Sequence, residues 1–362
     1  MRYIIGRKNC WLLAIGCWLL AACSSDSTGE SAGKRGSTLH IATYTSAYDE
    51  TDLQMRAVSE GFTEYEPSRD MTLGLFVIPA VEPPAAALTT AHPFTFAGGY
   101  WDTLEAVDAQ VKVDANKDYS IYGYMPMSGS VSASISKSGD VATMTVTGIS
   151  AVTADDICFV TGVKDGAKNN PGNLYQGQFS YRGKVDNNYV CLLMDHLFAS
   201  VKFTFAVDDT YAALRTIKLK KLELSTTKAS VNATITLTPN TTDSDPVTSV
   251  TYTTVSGTAA TAAFFNSTEG LPLNKRSEGA TAIPDFCCFA PILNNELTLK
   301  TTYDVYDRYD NLIRKNSVAT NKLPYIQTQR GQSVTLNLTV NPTYLYQLSE
   351  PDLDNPTIKI GD

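Results

Sequence analysis

The sequence predicts an all-β protein built from two β-sandwich domains in tandem. Three observations carry this. Short runs alternate apolar and polar residues with a period of two. Gly, Asn, Asp and Pro punctuate them. Almost nowhere do apolar residues recur at the helical spacing. The 362 residues suffice for two domains, and 43% hydrophobic content permits packed cores.

The first 22 residues read as a signal peptide. Arg2, Arg7 and Lys8 form a positive start, and an apolar run from Trp11 to Ala22 follows. That run is too short to be a stable membrane span. It ends in Leu20-Ala21-Ala22-Cys23, which resembles a bacterial lipobox, with Cys23 as the lipidated residue. The alternative is an ordinary signal peptide followed by a chance cysteine. A diacylglycerol on Cys23 would anchor the chain to the outer membrane, each buried methylene contributing about 0.8 kcal/mol. Residues 23–38 are Ser-, Gly- and charge-rich, a leash with too few apolar groups to fold.

The first strand is expected at 39–44, where Leu39, Ile41 and Thr43 alternate with His40, Ala42 and Tyr44. An acidic, polar stretch to Asp70 follows, with Arg56 and Arg69 as exposed points for a trypsin-like protease. The N-terminal sandwich, 39–207, continues through Leu73, Leu75 and Val77, then Phe94 and Phe96, then Val111 and Val113. Further strands are expected at 119–126, 141–146 and 189–194, with a loop at 164–172. Val201, Phe203, Phe205 and Val207 form a clean alternation, and 208–210 is the expected hinge. The C-terminal sandwich, 208–342, opens with Ile217, Leu219, Leu222 and Leu224. Their phase slips at Lys220-Lys221, which predicts a β-bulge. Val231–Leu237, Leu297–Val305 and Val334–Val340 supply further strands. In the tail at 343–362, Tyr344, Tyr346 and Leu348 share a face, as do Ile358 and Ile360. The stretch reads either as a last strand with a frayed end or as two extended pieces around a Pro hinge, free to add to another subunit's sheet.

The net charge of −8 and the lack of a basic stripe argue against nucleic acid as a partner. Four cysteines remain beyond the leader and Cys23: Cys158, Cys191, Cys287 and Cys288. None has CxxC spacing, which argues against zinc. They read as small buried apolar residues, with a Cys158–Cys191 bridge open as an alternative in an exported protein. His40, His92 and His196 are the only histidines. They lie far apart in sequence, without a catalytic motif, so neither an enzyme nor a bound cofactor is expected. Asp304, Asp307 and Asp310 read as a solvated edge or loop rather than a calcium cluster. Trp101, the one tryptophan beyond the leader, with Tyr100 beside it, leaves a glycan-binding lipoprotein with two Ig-like domains as the alternative function.

Several stretches in succession are similar to the fimbrillin (Mfa-like, FimA-like) lipoproteins of Bacteroidetes, whose polymers are type V pili. They are the LAAC lipobox, the strand followed by arginine, LGLF at 73–76, YGYMP at 122–126, HLFASVKF at 196–203 and GQSVTL at 331–336. The resemblance implies transthyretin-like, Greek-key sandwiches. It implies export as a lipoprotein precursor, then cleavage by an arginine-specific protease behind the first strand. Here that cut falls best between Arg56 and Ala57, since Arg35 precedes the strand and Arg69 almost abuts the next one. It further implies that the groove so opened is filled by the tail of another fimbrial subunit. In this chain that tail is 343–362, with Tyr344, Tyr346, Leu348, Ile358 and Ile360 as the donor side chains. The implied destination is a cell-surface fimbrium serving adhesion or biofilm formation.

Overall fold

The computed structural model describes residues 37–49, 62–67, 70–80, 87–103, 110–240, 242, 244–344 and 351–360. The chain is all-β, 65% strand and 4% helix, arranged in several sheets. The strands in chain order are β1 (Ser37–Ser46), β2 (Phe62–Tyr65), β3 (Thr72–Pro79), β4 (His92–Ala97), β5 (Tyr100–Thr103), β6 (Lys112–Val113), β7 (Asp118–Met125), β8 (Ser132–Ser138), β9 (Val141–Ser150), β10 (Val152–Thr153) and β11 (Cys158–Asp165). They continue as β12 (Ser180–Arg182), β13 (Asn188–His196), β14 (Ala199–Val207), β15 (Arg215–Leu237), β16 (Val247–Pro272), β17 (Thr281–Ala282), β18 (Cys287–Phe289), β19 (Thr298–Asp307), β20 (Leu312–Lys322), β21 (Ser333–Tyr344) and β22 (Pro351–Ile360). A single-turn helix α1 (Asp209–Ala212) follows β14. Its first turn is held by the Asp208 carboxylate, which accepts from the amides of Thr210 and Tyr211. The loop residues 208–210 expected as a hinge therefore form a capped turn.

The first sheet runs β11-β13-β1-β5-β4-β3-β7-β12, and β11 also pairs with β7. These pairings close seven strands into a ring, so β1 has no free edge. β2 and β6 join the first sheet through β1, and the remaining strands make two more sheets, β10-β18-β14-β21-β22 with β17 on β14, and β20-β19-β15-β9-β8 with β16 on β15. Phe203 of β14 stacks on Phe264 of β16, ring centroids 5.5 Å apart, where these two sheets face each other. Sheet membership does not follow the sequence division at 207/208. Strands β8 and β9 lie before that point yet pair with each other and with β15, and β10 pairs with β18. Alternation shows which residues turn inward but not which strand they will meet, so the crossing was not readable from the pattern.

The slip at Lys220-Lys221 is a true irregularity. The pairing of β15 with both β16 and β19 shifts register between Leu219 and Lys221, and Ile217, Leu219, Leu222 and Leu224 are all buried. The bulge keeps both apolar pairs on one face. The runs at 217–224 and 231–237 are one bent strand, because the Ser/Thr-rich residues between them also pair with β16.

One glycine is a structural requirement. Gly148 in β9 has φ +74°, and a Cβ there would lie 1.9 Å from the Ser130 carbonyl oxygen. Gly148→Val is expected to cost about 2–3 kcal/mol, the left-handed backbone alone accounting for about 1–2. Denaturant unfolding that leaves the midpoint unchanged would contradict this.

The four cysteines are free and buried, so the Cys158–Cys191 bridge does not form. Cys158 stands opposite His196 and Cys191 opposite Lys164 along the β11–β13 ladder, several residues apart.

Candidate functional site: the seat of the first strand

The strand at 39–44 lies inside the first sheet. Residues Leu39 to Thr45 run parallel to β13, from Asn188 to Met194. The opposite edge is shared by three partners. Ser37 and Thr38 pair with β6, Ile41 pairs with Trp101 of β5, and Thr43 to Ser46 pair with β2. Both edges are therefore satisfied along most of the strand.

Both faces are covered as well. Leu39 and Ile41 enter the main core, where Trp101 is fully buried. Trp101 donates its indole N–H to Thr43 Oγ1 at 2.9 Å, and Thr43 donates to the Tyr65 carbonyl at 2.9 Å. On the other face, Ala42 and Tyr44 pack with Cys191 and Leu193 under Phe62, Tyr100 and Leu174. Tyr44 donates to the Lys168 carbonyl at 2.6 Å, and burial pushes its phenol up to about 12. Lys168 closes this lid through Glu64 at 2.9 Å and Glu66 at 3.2 Å. Trp101, being buried, offers no face on which a sugar could stack.

A second group of contacts fixes the exit of β1. The Ser46 carbonyl accepts from His196 Nε2 at 2.7 Å. Tyr48 stacks on the His196 ring, 3.8 Å between centroids, and donates to Asp156 at 2.7 Å. Its hydroxyl also lies 3.2 Å from Cys288 Sγ. Asp49 bridges to the strand of the second sheet. Its amide donates to the Gly331 carbonyl, and its carbonyl accepts from the Ser333 amide, each at 2.9 Å. Burial pulls the His196 imidazole down, but the Asp156 carboxylate beside it wins and leaves it above its ordinary value. Burial, then the same carboxylate, raises the Cys158 thiol well above its usual range.

No protein-family model matches the chain, and no curated protein gives a significant match. Among solved structures, the chain is similar to a fimbrial protein from Bacteroides vulgatus, at 12% identity and a TM-score of 0.41, covering 80% of this chain and 91% of that one. It is similar to a candidate cell adhesion protein from Bacteroides uniformis, at 12% identity and a TM-score of 0.35, over 91% and 99% of the two chains. A candidate cell adhesion protein from Bacteroides ovatus gives 12% identity and a TM-score of 0.36, over 90% and 96%. At these scores no function passes from those proteins to this chain.

Of the other sequence-derived sites, Cys23, Arg56, Ala57, Tyr346 and Leu348 lie outside the described residues. Tyr344 ends β21. Ile358 and Ile360 sit on β22, opposite Val340 and Leu338 of β21, and Ile358 is buried. The tail stretch thus includes an edge strand docked on its own chain. Its alternating isoleucines find apolar neighbours on the nearest open edge. Asp304, Asp307 and Asp310 do not converge on one point. Asp304 accepts from the Asn316 amide, Asp307 caps a turn through Tyr309 and Asn311, and Asp310 meets Lys218. His40 pairs with Asp102 at 2.9 Å on a half-exposed surface. The meeting of Asp156, Cys158 and His196 escaped sequence reading. The signal available was Asp156 and Cys158 two apart, hence on one face of an extended segment, with His196 on a neighbouring strand.

Proposed function

We propose that the chain is a structural subunit of a cell-surface fimbria that assembles by strand exchange. In this reading the precursor is exported as an outer-membrane lipoprotein through Cys23. An arginine-specific protease cuts between Arg56 and Ala57, β1 departs, and a strand from another subunit takes its seat. Its role is structural and adhesive rather than catalytic.

The observation that carries the reading is the position of β1. It is the first strand among the described residues, it is followed in sequence by Arg56, and it links a closed sheet while packing on both faces. Its loss would leave backbone donors and acceptors of β13 unpaired above an apolar floor, a surface that a new strand satisfies along its whole length. The last strand supports the donor half of the reading. β22 lies at the end of its sheet and is hydrogen-bonded along one side by β21, with Asn321 donating to the Ile358 carbonyl at 2.6 Å. As an edge strand β22 can leave by breaking one ladder, that to β21, at the cost of uncovering Ile358. Donation through Tyr344, Tyr346, Leu348, Ile358 and Ile360 would replace this intramolecular pairing with an intermolecular one. Transthyretin-like topology in both halves belongs to the same proposal.

The test is assembly after cleavage. Full-length chain cut after Arg56 is expected to form a ladder of oligomers by size-exclusion chromatography and denaturant-free gel electrophoresis. A chain ending at Pro342 and cut in the same way is expected to stay monomeric. Equal assembly by the shortened chain would reject the donor role. A surface protein whose mature terminus is the lipidated Cys23, not Ala57, would reject the cleavage.

A further inference from the structure

Asp156, Cys158 and His196 bring a carboxylate, a thiol and an imidazole to one point, all three ligand atoms within 4.8 Å of one another, with Cys158 and His196 buried and Asp156 partly exposed. His196 Nδ1 lies 3.0 Å and 2.9 Å from the two Asp156 oxygens and 3.6 Å from Cys158 Sγ. The Ser46 carbonyl opposite Nε2 can only accept, so Nε2 carries its hydrogen. A neutral ring then turns the Nδ1 lone pair toward a carboxylate and a sulfur. The Asp156 carboxylate, the Cys158 sulfur and this lone pair together make a set that a proton or a metal ion can bridge.

We infer that Asp156, Cys158 and His196 form a binding site for one divalent transition-metal ion of the zinc class. The donor set is the mixed sulfur, nitrogen and oxygen set that such ions take. Tetrahedral zinc places nitrogen and sulfur ligands about 3.6 Å apart, and nitrogen and oxygen ligands about 3.4 Å apart, given its usual bond lengths. The observed nitrogen–sulfur separation already meets the first. The carboxylate would retreat by about half an ångström to meet the second. The Ser46 carbonyl behind Nε2 is the outer partner that orients a metal-bound imidazole and fixes its tautomer. Cys288 stands one contact further off, reached through the Tyr48 hydroxyl that also bonds Asp156. Binding releases the Cys158 thiol proton, and any proton held between His196 and Asp156, to solvent. Because Cys158 and His196 are buried, the ion enters as the chain folds. The inference stands whether or not the chain polymerises.

The test is to unfold the intact chain, refold it with and without one equivalent of zinc, desalt, and count the metal. Cobalt is used in parallel as a coloured substitute. The expected result is one zinc per folded chain and a thiolate-to-cobalt charge-transfer band. Cys158→Ser and His196→Asn should each weaken binding by more than about 100-fold, beyond the roughly 10–100-fold that loss of an outer partner causes. Cys191→Ser, whose thiol donates elsewhere to the Gly166 carbonyl, should keep both metal and band. Circular dichroism establishes that each protein is folded. A folded parent chain that retains no stoichiometric metal overturns the site. So does undiminished binding by Cys158→Ser and His196→Asn together.

Discussion

A chain lacking residues 37–46 is expected to lose most of its stability and to recover part of it when the ten-residue peptide of β1 is supplied separately. Leu39, Ile41 and Tyr44 each contribute about 1.5–3 kcal/mol by burial, roughly 5–9 kcal/mol together. The ladder to β13 and the Trp101–Thr43 bond are lost in addition. Net stabilities of folded domains are only about 5–15 kcal/mol, so the deletion is expected to take the chain to the edge of unfolding. Peptide at 100 times its Kd should restore about 2.7 kcal/mol by mass action. Thermal unfolding should then show a midpoint that rises with peptide concentration. The same peptide carrying Ile41→Asp should give no rise, since it would put a carboxylate against the buried Trp101. If the shortened chain melts where the parent does, β1 is not the keystone argued for it. If the altered peptide rescues as well as the native one, the seat has no specificity.

The alternation of Leu39, Ile41 and Thr43 was enough to place that strand, because its inner face is a clean period of two. The same holds for Val201–Val207 and Val231–Leu237, whose apolar positions are buried as their spacing requires. What the pattern did not carry was partnership. β1 pairs parallel with β13, about 150 residues further on, and nothing local encodes that choice. Strands β16 and β20 were also silent in sequence. β16 is rich in Thr, Ser and Ala and largely exposed, and β20 has mostly exposed side chains. β16 is held by backbone pairing to β15 and buries only a short patch around Phe264 and Phe265, and β20 is held by backbone pairing to β19. The tail was legible as strand-forming, yet its own alternation does not say that it docks on β21. The Asp156–Cys158–His196 group was hidden for the same reason as the sheet order. Its members sit on neighbouring strands and converge only through the pairing of Cys158 with His196.

Arg330→Met is expected to destabilise the chain by about 3–5 kcal/mol, the usual cost of stranding one member of a buried ion pair. Arg330, on the connection into β21, pairs through one guanidinium nitrogen with Asp195 of β13 and through the other with Asp245 at 2.7 Å. The Asp195 side chain is 2% exposed and the Arg330 side chain 18%, so water screens the pair poorly. Asp195 also accepts from the Ser46 hydroxyl at 3.4 Å and from the His196 amide at 2.8 Å, at the exit of β1. The pair thus ties the ring-shaped sheet to the sheet carrying β21 at the point where the first strand leaves. Pairing Arg330→Met with Asp195→Asn should recover a large part of the loss, because no buried charge is then left without a partner. A double-mutant cycle read by denaturant unfolding measures this as an interaction free energy. Additive losses in the cycle would mean that the two groups act separately. A loss below about 1 kcal/mol for Arg330→Met would put the pair among ordinary surface contacts and remove it as the clamp behind β1.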